Sequence, residues 1–544
     1  MKKFFKKIID YDYSECISLK NRLNFVFLIF IIIFISLIIR LFYVSLFLKN
    51  RNNIILANNE SDNEKRISIV DRNGVLLATD INLVNFYLNR ELVINPEKTS
   101  RIINDIIPEV DGEKLYKKLI NTQNKAKFIL VKKNITPKQQ ELIKNSGVIG
   151  FEFMNSSGRI YPHKNLFSHV VGYVNIDKQG VAGLEGQYND YLQNPKNSPL
   201  KLTLDIRVQS ILRQQLIKGM QKYNAKSIIG IVSEIKTGNI LALVNLPDFD
   251  PNRPYYFDKN ILYNKATYGS YEMGSVFKVF TIALGLDKNI IKTSDIFDVS
   301  QVISYGKYEV KQDHYSKRYM TPNEILEKSS NVGAALIGLQ IGGDKMKDFL
   351  DDIGMFDKVH VNFPSLARPL VPKKWRDINT VTISYGHGIA VTPLHIVMGI
   401  TGIVNDGVME MPKFVIGENS REDGKRIISE KTSKVMREYL RNVVKDGTGW
   451  RANSLGYCVG GKTGSARLLK DGEYQEGNIL ANFVGIFPMN DPHFLVYIMV
   501  ESPKIEGVSG NDLESGLVAA PIFARIIEQM APVLNVVPYV ERID

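Results

Sequence analysis

The residues best suited to chemistry stand in three short groups. Ser275-Val276-Phe277-Lys278 follows Gly274. At a helix start, positions i and i+3 share a face, so the Ser275 hydroxyl and the Lys278 amine project together. A serine hydroxyl is a useful nucleophile at neutral pH only when a base takes its proton. Lysine can be that base once its pKa falls from ~10.4 towards 7, which burial and a neighbouring cation both promote. Ser329-Ser330-Asn331 lies between EILEK and NVGAALIGL, two helical stretches. Its hydroxyl and amide can form one wall of a cleft; helix capping by Ser or Asn is the structural alternative. Lys462-Thr463-Gly464-Ser465 follows Tyr457-Cys458-Val459 and suits an edge strand lining the same cleft. There the lysine can hold a substrate carboxylate, the glycine leaves space for substrate, and a backbone N–H can polarise an acyl carbonyl.

The elements that must position these groups are legible around them. Asp205 reads as the N-cap of a helix carrying Val208, Ile211, Leu212 and Leu216 at helical spacing, after a strand end at Leu202–Leu204. Ile228–Val232 and Ile240–Val244, split by Lys236-Thr237-Gly238-Asn239, predict an antiparallel hairpin. Phe483–Phe487 and Phe494–Val500 predict two more strands around Asn490-Asp491-Pro492, and Pro521–Met530 predicts a helix. Helix, strand pair, long helical insertion, strand pair and helix together give an α+β fold, an antiparallel sheet with helices against it. Between residues 51 and 199 no nucleophile-and-base pattern stands out; Ser68-Ile69-Val70 is strand-like, Gly180–Gly186 supplies turns, and the polar Asn194–Pro199 stretch marks a boundary.

The second group follows the first by about 50 residues and the third follows by about 130 more, an order and spacing that resemble the penicillin-binding protein and serine β-lactamase superfamily. The likeness covers most of the chain. Asp71-Arg72-Asn73-Gly74 with Leu77-Ala78 resembles the segment after the anchor of class B penicillin-binding proteins. Arg159-Ile160-Tyr161-Pro162, Gly172-Tyr173-Val174 and Gly183-Leu184-Glu185-Gly186 resemble their pedestal domain. Lys328–Ala334 (KSSNVGA) and Ser384–Pro393 (SYGHGIAVTP) are similar to the division-specific, septal members, with the elongation-specific members as the alternative. The resemblance implies a D,D-transpeptidase. Ser275 would attack the penultimate D-alanine of a peptidoglycan stem peptide, with Lys278 as base. Ser329 and Asn331 would relay protons and bind the peptide amide. Lys462 and Thr463 would bind carboxylate, and the N–H groups of Ser275 and Ser465, beside Gly464, would form the oxyanion hole. β-Lactams would acylate Ser275 and stall. Met273 and Val276 depart from the family's usual Pro and Thr around the catalytic serine.

Leu23–Leu48 is almost wholly apolar, interrupted by Arg40, and long enough to cross a bilayer. Lys2, Lys3, Lys6, Lys7, Lys20 and Arg22 precede it, whereas Lys49 and Arg51 follow, so the N-terminus is expected in the cytoplasm. The core is too long, and its end too bulky, for a cleaved signal peptide. The expected organisation is a cytoplasmic tail at 1–22, an anchor at 23–48, a pedestal of the dimerisation type at 49–199 and a transpeptidase domain at 200–544. That places the chemistry in the periplasm, at the inner membrane and by resemblance at the septum, with a glycosyltransferase and other division proteins as expected partners.

The formal charge of +12 accompanies abundant lysine throughout and no aromatic-interleaved arginine cluster, so nucleic acid is not an expected partner. Seven scattered histidines and two cysteines, Cys16 and Cys458, offer neither a metal site nor a disulfide framework, and no cofactor is expected. Gly456–Thr463 also satisfies the P-loop spacing, but a P-loop follows a buried strand and opens a helix, and the preceding VVKDGTGWRANSL is polar. No G-x-S-x-G occurs, and no histidine is paired with Ser275 by pattern. A hydrolase sharing the three motifs and a non-catalytic sensor or division scaffold remain the competing readings.

Overall fold

The computed structural model describes residues 27–40, 65–121, 126–305, 308–311, 317–470, 473–508 and 513–538. Of the apolar segment at 23–48, Phe27–Arg40 forms a helix whose apolar side chains, Phe27, Phe30 and Phe34 among them, are exposed. The remainder of that segment, the tail before it and Cys16 lie outside the described residues.

Two compact units follow. One is built on Asn82–Ser157. Three helices, Pro96–Ile106, Gly112–Ile120 and Pro137–Asn145, are started by the side chains of Asn95, Asp111 and Thr136. Each accepts from a backbone N–H that the first turn leaves without a partner. Phe86–Asn89 pairs antiparallel with Phe128–Lys132, and Phe86, Leu88, Ile103, Leu115, Ile129 and Ile143 form the core.

The other unit takes in Arg66–Ile81 and the chain from Gly158 onward. Ile69–Val70 pairs parallel with Leu200–Lys201, so a short stretch near its start is sealed to one far along the sequence. The Asp71-Arg72-Asn73-Gly74 turn fixes the same junction. Asp71 Oδ1 accepts the N–H groups of Asn73 and Val75, and Asp71 Oδ2 accepts that of Ile206. Leu202–Leu204 is not a strand: Thr203 spends its hydroxyl on the Ile240 and Lys413 carbonyls, and Leu202 donates its N–H to the Val70 carbonyl and forms an isolated bridge to Val415. Gly180–Gly186 forms a short strand and the start of a helix in place of turns.

The sheet of this unit has five antiparallel strands: β1 (Ser227–Glu234), β2 (Ile240–Leu246), β3 (Gly460–Lys470), β4 (Glu473–Phe487) and β5 (Phe494–Glu501), in the order β3-β4-β5-β1-β2. Both pairs expected from the sequence are present, and β3 is an edge strand. Every residue of β5 is buried, because its two faces enter different cores. Leu495, Tyr497 and Met499 join one; Val496, Ile498 and Val500 join the other. The second core is covered by α1 (Ile206–Lys222, N-capped by Asp205 as expected) and α7 (Ser515–Val533). α7 is long and apolar enough to cross a membrane, yet Val518, Ile522, Phe523 and Ile526 are buried against the sheet. The first core is covered by the helical insertion: α2 (Lys278–Asp287), α3 (Pro322–Glu327), α4 (Asn331–Ile341), α5 (Pro393–Val404) and α6 (Glu430–Lys445).

Candidate active site

Ser275 sits in a single 3-10 turn, Gly274–Phe277, that feeds α2. The turn is held against edge strand β3. Gly274 has φ +55°, and a Cβ there would lie 2.2 Å from the Ser465 carbonyl oxygen, so only glycine permits this approach. Gly464 serves the same closeness from the strand side: a Cβ would lie 2.5 Å from the Met273 carbonyl oxygen. Met273 and Val276, the departures from the family pattern, are buried, and the Tyr497 hydroxyl lies 3.2 Å from Met273 Sδ. An apolar pair thus anchors the turn.

From that turn Lys278 folds back, fully buried, with Nζ 2.9 Å from Ser275 Oγ and 3.1 Å from Ser329 Oγ; it also donates to the Ser329 carbonyl. Ser329 connects α3 to α4 with φ +63°, a conformation costly for a residue with a side chain. The cap of α4 is the next residue, Ser330, which accepts from the Gly333 N–H at 3.0 Å and leaves the Ser329 hydroxyl to the lysine. Asn331 is the first residue of α4 and lines the cleft.

On β3, Lys462 is fully buried, with Nζ 3.0 Å from Ser329 Oγ, 3.0 Å from the Thr463 carbonyl oxygen and 3.3 Å from Thr463 Oγ1. Burial pushes its ammonium down to about 7. One serine oxygen therefore takes hydrogen bonds from two lysines, and like charges disfavour having both protonated. The Lys462 ammonium thus lies behind the Thr463 and Ser329 hydroxyls that it contacts. Thr463 Oγ1 is paired with Thr448 Oγ1 at 2.8 Å, and Ser465 Oγ with Ser515 Oγ at 2.7 Å.

These groups border a cleft of about 620 Å³, lined among others by Ser275, Ser329, Asn331, Thr463 and Ser465. Ser275, Lys278, Ser329, Lys462 and Thr463 form one hydrogen-bonded set, Gly464 and Ser465 are both joined to Ser515, and Asn331 lines the same cleft. Thr448, Ser515, Tyr385 and His387 were not anticipated as site residues. The last two fall in Ser384–Pro393, a segment whose likeness to septal enzymes was legible but whose place in the cleft was not. Lys462-Thr463 runs as a strand and no helix opens there, so the P-loop spacing at Gly456–Thr463 has no P-loop structure behind it. Among the described residues no cluster of His, Cys, Asp or Glu could hold a metal ion.

The arrangement can do acyl transfer: a hydroxyl within hydrogen-bonding reach of a buried amine, a second hydroxyl to relay protons, and two backbone N–H groups at the meeting of turn and strand. Comparison with known proteins gives the same picture from an independent direction. Residues 228–528 match the penicillin binding protein transpeptidase domain, and residues 61–199 match the penicillin-binding protein dimerisation domain. A protein named probable peptidoglycan D,D-transpeptidase FtsI, from Caulobacter vibrioides, is 31% identical over 87% of this chain and 82% of its own length. Stage V sporulation protein D of Bacillus subtilis is 30% identical over 97% of this chain and 88% of its own. Penicillin binding protein 3 of Mycobacterium tuberculosis, solved with aztreonam, shares the fold with a TM-score of 0.68 at 24% identity, over 87% of this chain and 97% of that one.

Proposed function

Because this chain belongs to the penicillin-binding protein transpeptidase family, with the class B pairing of dimerisation and transpeptidase domains, we propose that Ser275 is the nucleophile of a septal peptidoglycan D,D-transpeptidase. The observation that carries the site assignment is the chain of contacts from Ser275 Oγ to Lys278 Nζ, Ser329 Oγ and Lys462 Nζ.

Lys278 removes the Ser275 proton as Oγ attacks the penultimate D-alanine carbonyl. The N–H groups of Ser275 and Ser465 receive the developing oxyanion, where fixed donors contribute most because they need no reorganisation. As the tetrahedral intermediate collapses, the C–N bond to the terminal D-alanine breaks. The proton passes from Lys278 through Ser329 to the leaving amine. Asn331 binds the peptide amide, and Thr463, backed by the Lys462 charge, receives the substrate carboxylate beside Gly464. An amine from a neighbouring stem then attacks the acyl-serine, and its proton returns through Lys278 to Ser275 Oγ. β-Lactams follow the first half of this course and stall at the acyl-enzyme.

In this reading residues 23–48 anchor the chain, with 1–22 in the cytoplasm, 49–199 as pedestal and 200–544 as transpeptidase domain in the periplasm. Support comes from the apolar run, the excess of Lys and Arg before it, and the exposed apolar surface of the Phe27–Arg40 helix. The septal assignment is supported by the likeness of Lys328–Ala334 and Ser384–Pro393 to division-specific enzymes. Depleting the protein from its host tests it. Cells that elongate without completing septa are expected; cells that round up yet keep dividing would assign the enzyme to elongation.

A further inference from the structure

Two histidines buried in the second unit are committed to structural hydrogen bonds. His169 Nε2 is 2.8 Å from the Ile261 carbonyl oxygen. His395 is held at both nitrogens, Nδ1 to Thr392 Oγ1 at 2.7 Å and Nε2 to the Asp357 carbonyl oxygen at 2.8 Å. His387 differs. Its Nδ1 is buried with no hydrogen-bond partner, and the residue lines the cleft that holds Ser275. A buried imidazole nitrogen without a partner costs stability.

The placement of His387 is nonetheless closely controlled. It stands between Gly386 at φ +87° and Gly388 at φ +79°. The Gly386 carbonyl accepts from the Gly274 N–H at 3.2 Å, which joins this loop to the residue before the nucleophile. A Cβ on Gly386 would lie 2.0 Å from the Gly274 carbonyl oxygen. On the other side the Gly388 N–H donates to Glu272 at 2.8 Å. The imidazole lies against the ring of Tyr385, 5.3 Å between centroids, and the Tyr385 hydroxyl is in turn bonded to that of Tyr308 at 2.6 Å. Nδ1 is shut away, and the residue itself lines the cleft.

We propose that His387 positions the acceptor amine of the second half-reaction, accepting one N–H hydrogen bond through its imidazole so that the nitrogen lone pair points at the acyl carbon of Ser275. The inference rests on Ser275 being the acylated residue. The amine nitrogen forms the new C–N bond, the C–Oγ bond to Ser275 breaks, and the amine's other proton travels through Lys278 to Oγ. No proton remains on His387, which acts by direction. An amine so held competes better with water for the acyl-enzyme, the difference between a transpeptidase and a hydrolase.

Only the neutral ring can accept. Burial lowers the pKa of His387; Glu272 opposes that shift, Lys278 and Arg467 reinforce it, and the Tyr385 backbone opposes it. The sum is a group held below the ordinary histidine range, and therefore neutral at neutral pH.

The test uses the full detergent-solubilised chain, a thioester analogue of the donor stem peptide and D-alanine as the amine probe. The readout is the ratio of aminolysis to hydrolysis product. His387→Ala should lower that ratio at least tenfold while slowing penicillin acylation by less than threefold. His387→Gln, whose amide oxygen can accept but does not titrate, should recover the ratio to within threefold of the unmodified chain. At acid pH the ratio should fall more steeply in the unmodified chain than in the Gln variant. An unaltered ratio in His387→Ala would overturn the inference. So would a parallel loss of acylation and aminolysis in both variants, the result of a merely structural role. Penicillin labelling of Ser275 in the same preparation separates the two readings. A labelled serine with a ratio indifferent to His387 defeats this inference alone, and an unlabelled one defeats the nucleophile assignment as well.

Discussion

At the scale of single residues, the buried lysines set the chemistry. Ser275, Lys278, Ser329 and Lys462 could be picked from the sequence because their types and order recur together, but the sequence suggested that Lys462 touches a carboxylate. In the structure Lys462 is fully buried. Its Nζ ends on Ser329 and Thr463, and its pKa falls to about 7 because the charged form loses water. Burial of this kind depends on what packs around β3 and leaves no trace in four letters of sequence. It has a consequence for stability. The folded value lies below the unfolded value near 10.5, so the unfolded chain binds more protons between pH ~7 and ~10.5, and stability rises with pH across that window. Below pH ~7 the full cost of burying the charge, on the order of 4–5 kcal/mol, is present. Lys462→Met should therefore raise the melting temperature relative to the unmodified chain more at pH 6.5 than at pH 9.5, while penicillin acylation is lost. Thermal unfolding at the two pH values, with penicillin labelling alongside, checks both parts. A larger gain at pH 9.5 would contradict the burial account.

At the scale of elements, the site depends on how closely a 3-10 turn approaches an edge strand. Periodicity and turn residues identified α1, the β1–β2 and β4–β5 pairs and α7, because each repeats a pattern over many residues. The order of strands in the sheet was not legible, nor was the contact of Gly274 with Ser465, since both arise from residues far apart in the chain. The same distance hid His387, Thr448 and Ser515: each reaches the cleft from its own element, and none carries a spacing motif. Gly274→Ala should force the turn away from β3, where its Cβ would otherwise sit 2.2 Å from a backbone oxygen. Penicillin acylation is expected to fall at least a hundredfold, with a stability loss of about 1–3 kcal/mol. Gly417→Ala is the control, since φ is +87° there with nothing within 4 Å of the added Cβ. It should carry backbone strain alone and keep acylation within about twofold of the unmodified chain. Equal losses in the two variants would show that strain, not the turn–strand distance, governs the site.

At the scale of the molecule, the second unit is held together by chain segments that the sequence order separates. Arg66 and Arg159 converge on Glu185, at 2.8 Å and 2.6 Å, and Arg159 also meets Asp80 at 3.2 Å, all with little or no exposure. Buried ion pairs need mutual satisfaction, because removing one partner leaves an uncompensated charge. The Arg159–Pro162 and Gly183–Gly186 motifs were visible in the sequence, but their meeting with Arg66 and Asp80 was not. Pairings across 79 and 119 residues leave no local pattern. The same unit carries the proposed nucleophile, Ser275. Mapping a penicillin adduct by mass spectrometry on the full-length, detergent-solubilised chain, beside Ser275→Ala, is the most direct measurement. The predicted result is a single adduct on the peptide containing Ser275, long-lived and absent from the variant. An adduct on another residue, none in folded protein, or turnover too fast for the adduct to accumulate would contradict a Ser275 transpeptidase.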